Sequence, residues 1–588
     1  MTDPTPTTNR SLPFRVDGFD TLLDGLDYAA RGETGFNFHS PRGELVAVLP
    51  YAELRERARR LAERLPRAGV ARGDRVAVIA ETRPDFVIAF FACQCAGLIP
   101  VPLPLAVNFG GRRAYVERLH GMLKAADAHL AIASHGLLAT LREAAAGTAV
   151  REVCAVDELM ALPPSARPFA PFGAAEPCYI QYSSGSTSFP RGVLVTQRAI
   201  AANAHAIAAH GLALRPEDRC VSWLPLYHDM GLVGCCLTPV MSQITVDYLE
   251  TTAFARRPLV WLKLLSERRG TISFSPTFGY ELAARRAAGN NGVDRYDLRA
   301  WRVAGVGGEM IRESALLRFA ETFAPARFDP RAFLASYGLA EATLAVTFAP
   351  LGRGLRVDRV ARGDTLERDR LALALAEGDR RPARRFVFCG RPMPGYRLEI
   401  RDDAGRPLPD RRIGRVRIKG PSLMAGYFRD PRASAEILTA DGWLETGDMG
   451  YTVDGELVVT GRSKDLIILG GRNIWPQDLE WAVEHIPGVR SGDVAAFSAP
   501  DEEDGERVVV VVECRLAKKA DQERFRREIR AVLSRVAGVD CEVVLAPPRS
   551  LTYTTSGKLS RAAARAKYLA GDLRDLAEAS GPELAPAA

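Results

Sequence analysis

The stretch Tyr179–Val193 (Tyr-Ile-Gln-Tyr-Ser-Ser-Gly-Ser-Thr-Ser-Phe-Pro-Arg-Gly-Val) constrains this chain more than any other. Its apolar approach, Cys178, Tyr179 and Ile180, predicts a short buried strand. The strand gives way to small and hydroxylated residues around Gly185, then to turn signals at Pro190 and Gly192. Small side chains let a backbone close on a ligand, and successive N–H groups in such a loop form an anion-binding concavity. Ser183, Ser184, Ser186 and Thr187 add hydroxyl donors, and Arg191 adds a fixed positive charge. A polyphosphate is the natural guest. Ser/Gly-rich segments are more often solvated linkers, however, and this one matches neither G-x-x-x-x-G-K-[ST] nor G-x-G-x-x-G. The case for a nucleotide therefore rests on what lies downstream.

With 588 residues, the chain exceeds what one hydrophobic core serves, so two or more domains are expected. A composition 47% apolar and 25% charged is that of an ordinary globular protein. No apolar run is long enough for a membrane span. The start, Met-Thr-Asp-Pro-Thr-Pro, lacks the basic and apolar regions of a secretory signal, so a cytoplasmic protein is expected. The net charge of +7 comes from 78 basic and 71 acidic residues interspersed along the chain, without an aromatic-interleaved basic cluster, which argues against a nucleic-acid partner. Ten scattered cysteines with no C-x-x-C pair argue against structural zinc or a disulfide framework.

Periodicity supplies the architecture. Tyr51–Leu65 carries apolar residues at 51, 54, 58, 61, 62 and 65, the pattern of an amphipathic helix. Arg75–Ala80, Asp85–Ala96 and Leu98–Pro102 follow as strand, helix and strand, which with short turns means a parallel sheet. The same grammar recurs through a helix at Gln197–His210 and a strand at Ile272–Ser275. From about Gly395 the pattern changes to short strands and turns, and after Gly461 it restarts as a compact α+β unit. The expected fold is α/β: a large N-terminal domain of α/β layers with a small β-rich subdomain (1–461), plus a small mobile α+β C-terminal domain (462–588).

Further motifs punctuate these elements. His228 sits between bulky apolar groups and Asp229 in Trp223–Gly231; a satisfied core histidine is the commoner outcome, a substrate-orienting one the alternative. A Ser–His–Asp hydrolase is disfavoured, since no G-x-S-x-G elbow is present. Gly305–Glu309 and Ser336–Thr343 are each a strand ending in glycine and an acid. Two such turns suit a base held between glycine backbone and the Tyr337 face, with Glu341 available for Mg²⁺. Asp448 in Glu445–Gly450 suits a ribose diol; Gly461–Asn473 reads as a charged hinge; Thr554–Leu559 sets Lys558 on a turn.

In this order and spacing, from about Phe14 to Lys567, the segments resemble the adenylate-forming superfamily: acyl-CoA synthetases, luciferases, adenylation domains and fatty acyl-AMP ligases. The wording Gln-Tyr-Ser-Ser-Gly-Ser-Thr, Leu-Pro-Leu-Tyr-His-Asp-Met-Gly-Leu and Tyr-Gly-Leu-Ala-Glu-Ala-Thr-Leu is most similar to fatty acyl-AMP ligases. The resemblance implies ATP-dependent activation of a fatty acid to an acyl-adenylate with release of pyrophosphate, using Mg²⁺. Ser183, Ser184, Gly185, Ser186 and Thr187 would then cradle the β and γ phosphates, and Gly308, Glu309, Ser336, Tyr337 and Gly338 would surround the adenine. Glu341 would hold Mg²⁺, and Asp448 and Arg462 would bind the ribose. His228 would sit beside the acyl carboxylate, Lys558 would bridge carboxylate and α-phosphate, and Lys464 would be the hinge. Between Glu341 and Cys389 lies a long spacer with the charged run Arg353–Arg385. In acyl-AMP ligases an insertion here goes with acyl transfer to the phosphopantetheine of an acyl carrier protein instead of to CoA. The alternatives are an acyl-CoA synthetase and a non-catalytic acyl-binding or scaffold protein that keeps the fold. Three departures stand out: Ser183 where threonine is common, Arg191 where lysine is usual, and Gly307-Gly308-Glu309-Met310 where Gly-Ala-Glu-Pro is common.

Overall fold

The computed structural model describes residues 12–105, 111–183, 190–288, 292–501, 506–538, 540–553 and 559–576. Its centre is a nine-stranded sheet in which Gly35–His39, Thr245–Leu249, Arg219–Ser222, Ile272–Ser275, Val303–Val306 and Phe333–Gly338 run parallel. Antiparallel strands finish both edges. A second sheet, all parallel, orders Ile99–Leu103, Arg75–Ile79, Ala128–Ile132 and Glu152–Cys154. Every residue of Arg75–Ile79 is buried, as expected of a strand covered on both faces. The large domain is thus α/β, as its alternating pattern implies.

The predicted elements fall close to those observed. The helix expected over Tyr51–Leu65 spans Tyr51–Ala62 and buries Tyr51, Leu54, Ala58, Leu61 and Ala62. The helix expected over Asp85–Ala96 spans Pro84–Cys95, with proline in the first turn where its missing N–H costs nothing. The later β-rich region is a four-stranded antiparallel sheet of Arg397–Arg401, Gly414–Lys419, Leu444–Val453 and Glu456–Arg462. Beyond it a smaller C-terminal domain pairs Val494–Pro500 and Cys541–Ala546 with Glu506–Glu513, flanked by helices Pro476–Glu484, Lys519–Ala537 and Arg561–Leu569. Two hydrophobic clusters of its own hold it together, one around Val508, Val510 and Leu533, the other around Val509, Val511 and Ala564.

An aromatic cluster backs the central sheet. Trp261, Tyr280, Trp301 and Phe319 are fully buried and meet mostly edge to face, with ring centroids 5.1–6.4 Å apart. Each such pair contributes about 0.5–1.5 kcal/mol beyond its buried area. This rigid layer holds the strands whose carboxyl ends carry the motifs.

One departure from the sequence expectations, and two features that the sequence left open, have physical causes. The segment Gln197–His210 is not one regular helix: the α-helix ends at His205 and Ala206–Gly211 widens into a π-turn. Met230–Leu237 is a second π segment, directly after His228 and Asp229. Such widened turns carry one extra residue per turn and are frequent at functional sites. Second, the strand before the Ser/Gly-rich segment, whose pairing the sequence left open, is antiparallel. Pro177–Tyr182 pairs antiparallel with Gly192–Thr196, which pairs in turn with Gly426–Tyr427. Third, the charged run after Arg353 is an ordered hairpin of Val357–Ala361 and Ala383–Val387 with a helical turn at Asp364–Glu367. It is not a loose surface loop: Arg384 Nε lies 3.0 Å from Asp478 of the C-terminal domain, and Arg472 Nε lies 3.0 Å from Glu367. The expectations for the chain's two ends fall mostly outside the described residues.

Candidate active site

The carboxyl ends of the parallel strands open onto a cavity of about 640 Å³, closed from the far side by the C-terminal domain. Open α/β sheets bind ligands in this position. His228, Ser183, Gly308, Glu309, Ser336, Tyr337, Gly338, Glu341, Asp448, Arg462 and Lys464, all singled out from the sequence, line this one cavity. Ser184, Gly185, Ser186, Thr187 and Lys558 lie outside the described residues. Ser183 N–H donates to the Arg191 carbonyl (2.9 Å), joining the two ends of that Ser-rich segment. Tyr553 and Leu559, on either side of residues 554–558, both line the cavity and pair with each other.

Asp448 and Arg462 face each other across adjacent strands, and their side chains meet, Nε to Oδ1, at 3.3 Å. Tyr337, from the end of Phe333–Gly338, donates its hydroxyl to the other Asp448 oxygen at 2.7 Å. The Asp448 carboxylate holds the Arg462 guanidinium above its ordinary range, while burial, reinforced by Asp448, pushes the Tyr337 phenol up. A fixed acceptor, a fixed cation and a flat ring thus share one wall.

Two glycines are sterically required here. A Cβ on Gly338 would lie 1.8 Å from the Leu344 carbonyl oxygen, and one on Gly307 would lie 2.8 Å from Ser336 atoms. The turn that follows Gly338 is strained, for Thr343 takes φ 71°, a left-handed value a β-branched residue rarely adopts. Its hydroxyl donates to the Ser422 carbonyl at 2.7 Å, which anchors the turn. This turn presents Glu341. Glu341 Oε1 accepts the Tyr427 hydroxyl at 2.8 Å, and the Arg191 guanidinium lies over the Tyr427 ring at 5.2 Å. Burial raises the Glu341 pKa; the Tyr427 hydrogen bond and the Arg462 charge oppose that rise.

Glu309 lines the cavity, but one of its oxygens accepts Phe278 N–H at 3.1 Å, so it also caps the helix Thr277–Ala287. His228 Nδ1 lies 2.7 Å from Asp229 Oδ1, and that oxygen also accepts Met230 N–H at 2.7 Å. The adjacent pair is thus in direct contact, with the carboxylate fixing the ring. Beside it the wall turns apolar: Ile207, Leu212, Met230, Gly234, Leu344 and Phe348. Four of these stand on or beside the two π segments, and a Cβ on Gly211 would strike the Phe348 ring at 2.5 Å. From the C-terminal domain come Gln477, Glu480, Trp481, Glu484 and Arg561. Sequence reasoning missed Tyr427, whose only signal is its strand pairing to the segment after Arg191, and missed the apolar wall, because a π-turn breaks the 3.6-residue period.

Residues 46–428 match the family described as AMP-binding enzyme. The chain belongs to that family. A Caulobacter vibrioides (strain NA1000 / CB15N) protein, provisionally named an acyl-CoA synthetase, is 50% identical over 565 residues, covering 95% of this chain and 97% of its own length. The long-chain-fatty-acid–AMP ligase FadD32 of Mycolicibacterium smegmatis (strain ATCC 700084 / mc(2)155) is 33% identical over 627 residues, covering 96% and 97%. A solved structure from "Structural and Functional Studies of Fatty Acyl-Adenylate Ligases from E. coli and L. pneumophila" superposes with a TM-score of 0.90 at 43% identity, covering 95% of this chain and 99% of that one. The chain is thus an adenylate-forming enzyme of the AMP-binding family, with fatty acyl-AMP ligases among its structural and sequence relatives.

Proposed function

We propose that this AMP-binding enzyme activates a fatty acid with ATP and passes the acyl group to the phosphopantetheine thiol of an acyl carrier protein. The observation that carries the reading is a single cavity with two ends: Asp448, Tyr337, Arg462 and Glu341 at one, an apolar wall at the other, and His228 among its lining. In the first step a carboxylate oxygen attacks the α-phosphorus, the bridging bond to the β-phosphate breaks, and pyrophosphate leaves. In the second the carrier's thiol attacks the acyl carbonyl, losing its proton as AMP leaves.

The roles follow the chemistry of the side chains. Asp448 accepts from the ribose hydroxyls while Arg462 and Tyr337 hold its carboxylate in place. Adenine lies between the Gly307–Gly308 turn and Tyr337, with Glu309, Ser336 and Gly338 completing the wall. Ser183, Ser184, Gly185, Ser186 and Thr187 embrace the β and γ phosphates. The apolar wall takes the alkyl tail, and His228, fixed by Asp229, orients the carboxylate. Lys558 supplies the positive charge between carboxylate and α-phosphate, where the transition state needs it. The C-terminal domain starts at Arg462 and swings about Lys464 between the two steps.

Mg²⁺ fits the donor set. It is typically held by one or two carboxylates plus phosphate oxygens, not by a protein cage. Glu341 offers such a carboxylate, and among the described residues no cluster of three or more metal-ligating side chains exists. The ion would neutralise phosphate charge; Glu341 would hold it and Tyr427 would orient Glu341.

The hairpin at Val357–Val387 favours a carrier-protein acceptor, because its ion pairs with Asp478 and Arg472 brace the C-terminal domain. The Caulobacter relative's name favours CoA instead. Pyrophosphate release measured with CoA or with holo-carrier protein as acceptor separates the two. Robust acyl-CoA formation ends the carrier reading, and absence of any fatty-acid-dependent ATP–pyrophosphate exchange ends both. No described helix is long and apolar enough to cross a membrane, and action in the cytoplasm, where ATP is available, is part of the proposal.

A further inference from the structure

The turn that presents Glu341 does not keep its shape unaided. Thr343 sits at φ 71°, a conformation that persists only where the surroundings over-determine it. Those surroundings come from far along the chain. Asn203, on the helix Gln197–His205, is fully buried, and its amide meets both backbone groups of Ala345, just past the turn. Its oxygen accepts Ala345 N–H at 3.2 Å and its nitrogen donates to the Ala345 carbonyl at 2.8 Å, which fixes which end of the amide is which. The second amide proton goes to the Tyr396 hydroxyl, also at 2.8 Å, with the Ser422 hydroxyl farther off at 3.2 Å. Inside the turn, the Ala342 carbonyl accepts the Ser422 hydroxyl at 2.8 Å. That hydroxyl has one proton, so in its 2.6 Å contact with Tyr396 the tyrosine is the donor. A directed chain therefore runs from Asn203 through Tyr396 and Ser422 to Ala342. The same segment grips the turn twice more: the Ser422 carbonyl accepts the Thr343 hydroxyl at 2.7 Å, and Met424 N–H donates to the Glu341 carbonyl at 2.9 Å.

We propose that Asn203 is a positioning residue for the metal: through Tyr396 and Ser422 it holds the turn 339–344, from behind the site, in the one conformation that aims Glu341 into the cavity. The proposal rests on the functional reading above, in which Glu341 holds Mg²⁺. Tyr427 orients the carboxylate itself, whereas Asn203 fixes the backbone that carries it. Apolar side chains could fill the same space, but burial is not directional and would leave Thr343 free to relax. Hydrogen bonds weaken steeply off line, so a buried chain whose members are all satisfied specifies a single geometry. Asn203, Tyr396 and Ser422 are not among the described residues that line the cavity, so a change in any of them reaches the site only through the turn.

The test is metal binding by the full chain. Mn²⁺ is titrated in the presence of ATP and without fatty acid, its enzyme-bound fraction read from the paramagnetic signal, and half-saturating Mg²⁺ is measured separately in ATP–pyrophosphate exchange. Asn203→Ala weakens both about ten- to hundredfold, the range for a group that orients a ligating carboxylate, while ATP affinity by metal-free calorimetry stays within about threefold of wild type. Tyr396→Phe and Ser422→Ala shift both readouts in the same direction, and combining them is less than additive, since they are consecutive links of one chain. A purely structural asparagine lowers the melting temperature alone. A folded Asn203→Ala or Tyr396→Phe enzyme with wild-type Mn²⁺ affinity and Mg²⁺ requirement therefore overturns the proposal, as does full additivity. Should Asn203→Ala fail to fold, Tyr396→Phe decides, because it removes one oxygen and leaves Asn203 paired with Ala345. Glu341→Gln separates the two levels of argument. If it binds Mn²⁺ like wild type, the reading of Glu341 as the metal carboxylate falls and the positioning role with it; if it loses the metal while Asn203→Ala and Tyr396→Phe keep it, only the positioning role falls.

Discussion

Replacing Tyr427 by phenylalanine removes one oxygen atom and tests how the Glu341 carboxylate is held. The tyrosine hydroxyl donates to Glu341 Oε1 at 2.8 Å and also interacts with Arg191, whose guanidinium lies over the ring. A hydrogen bond to a charged group contributes about 1.5–3 kcal/mol. Losing it falls on the ionised form of Glu341, whose pKa burial has already raised and the hydroxyl partly restores. The sign follows. Without the donor the pKa rises further, so protonation competes with Mg²⁺ at higher pH and the acid limb of the activity profile moves upward. About 1.5–3 kcal/mol corresponds to roughly a ten- to hundredfold weaker hold on the metal, the usual range for a partner that orients a ligating carboxylate.

Titrating MgCl₂ into the ATP–pyrophosphate exchange assay at constant ATP reads this directly, and Mn²⁺ binding followed by its paramagnetic signal gives a second readout without turnover. The Phe variant requires more metal for half-maximal rate, and the deficit narrows as pH rises above the shifted pKa. Metal requirement and acid limb both superimposing on wild type would refute the assignment of Glu341 as the metal carboxylate oriented by Tyr427.

Other expectations concern single parts of the site. Lys558→Ala lowers exchange kcat by about 10²–10³, the loss expected on removing one transition-state charge donor, while ATP affinity by calorimetry stays near wild type. Asp448→Asn keeps the shape but removes the charge facing Arg462 and leaves one acceptor oxygen where Arg462 and Tyr337 now use two, so the KM for ATP rises by roughly tenfold or more in steady-state kinetics. Gly234→Phe fills the apolar end beside Leu344, and a panel of acids then shows preference shifted toward shorter chains, with each lost methylene contact about 0.8 kcal/mol. Gly338→Ala forces a Cβ against the Leu344 carbonyl and lowers the melting temperature, by a destabilisation of about 2 kcal/mol or more.

The sequence disclosed those parts of the site whose chemistry is carried by residue type at a fixed place in the chain. Gly338 and Gly307 were visible because only glycine tolerates such close backbone approach, and Asp448 because an acid in a glycine turn is unusual. Strands such as Arg75–Ile79 were visible because burial on both faces forces a largely apolar run. What stayed hidden is what tertiary pairing creates. Tyr427 meets Glu341 across 86 positions in sequence, and Arg312 meets Glu484 across 172; no local period records either. The π segments were hidden for a different reason. Ala206–Gly211 and Met230–Leu237 are apolar enough to pass for ordinary helix, and the extra residue per turn follows from packing, not from propensity.

These two kinds of residue also divide the labour of the enzyme. The parts that contact ligand in the proposed reaction are anchored in one domain each: Asp448 and Tyr337 on neighbouring strands, His228 beside its own aspartate. The contacts that span the two domains are both charged and apolar: the ion pairs Arg312–Glu484, Arg384–Asp478 and Arg472–Glu367, and Trp475 buried with Val360, Phe386 and Tyr451. A hydrophobic seam would hold the small domain over a range of angles, since dispersion and burial are not directional. Ion pairs withdrawn from water tolerate little displacement, because a partner removed leaves a buried charge uncompensated at a cost of about 3–5 kcal/mol. In the proposed two-step reaction, those ion pairs would favour a lid with discrete orientations over one that drifts. A reaction whose two halves need different groups in the same cavity requires that kind of lid.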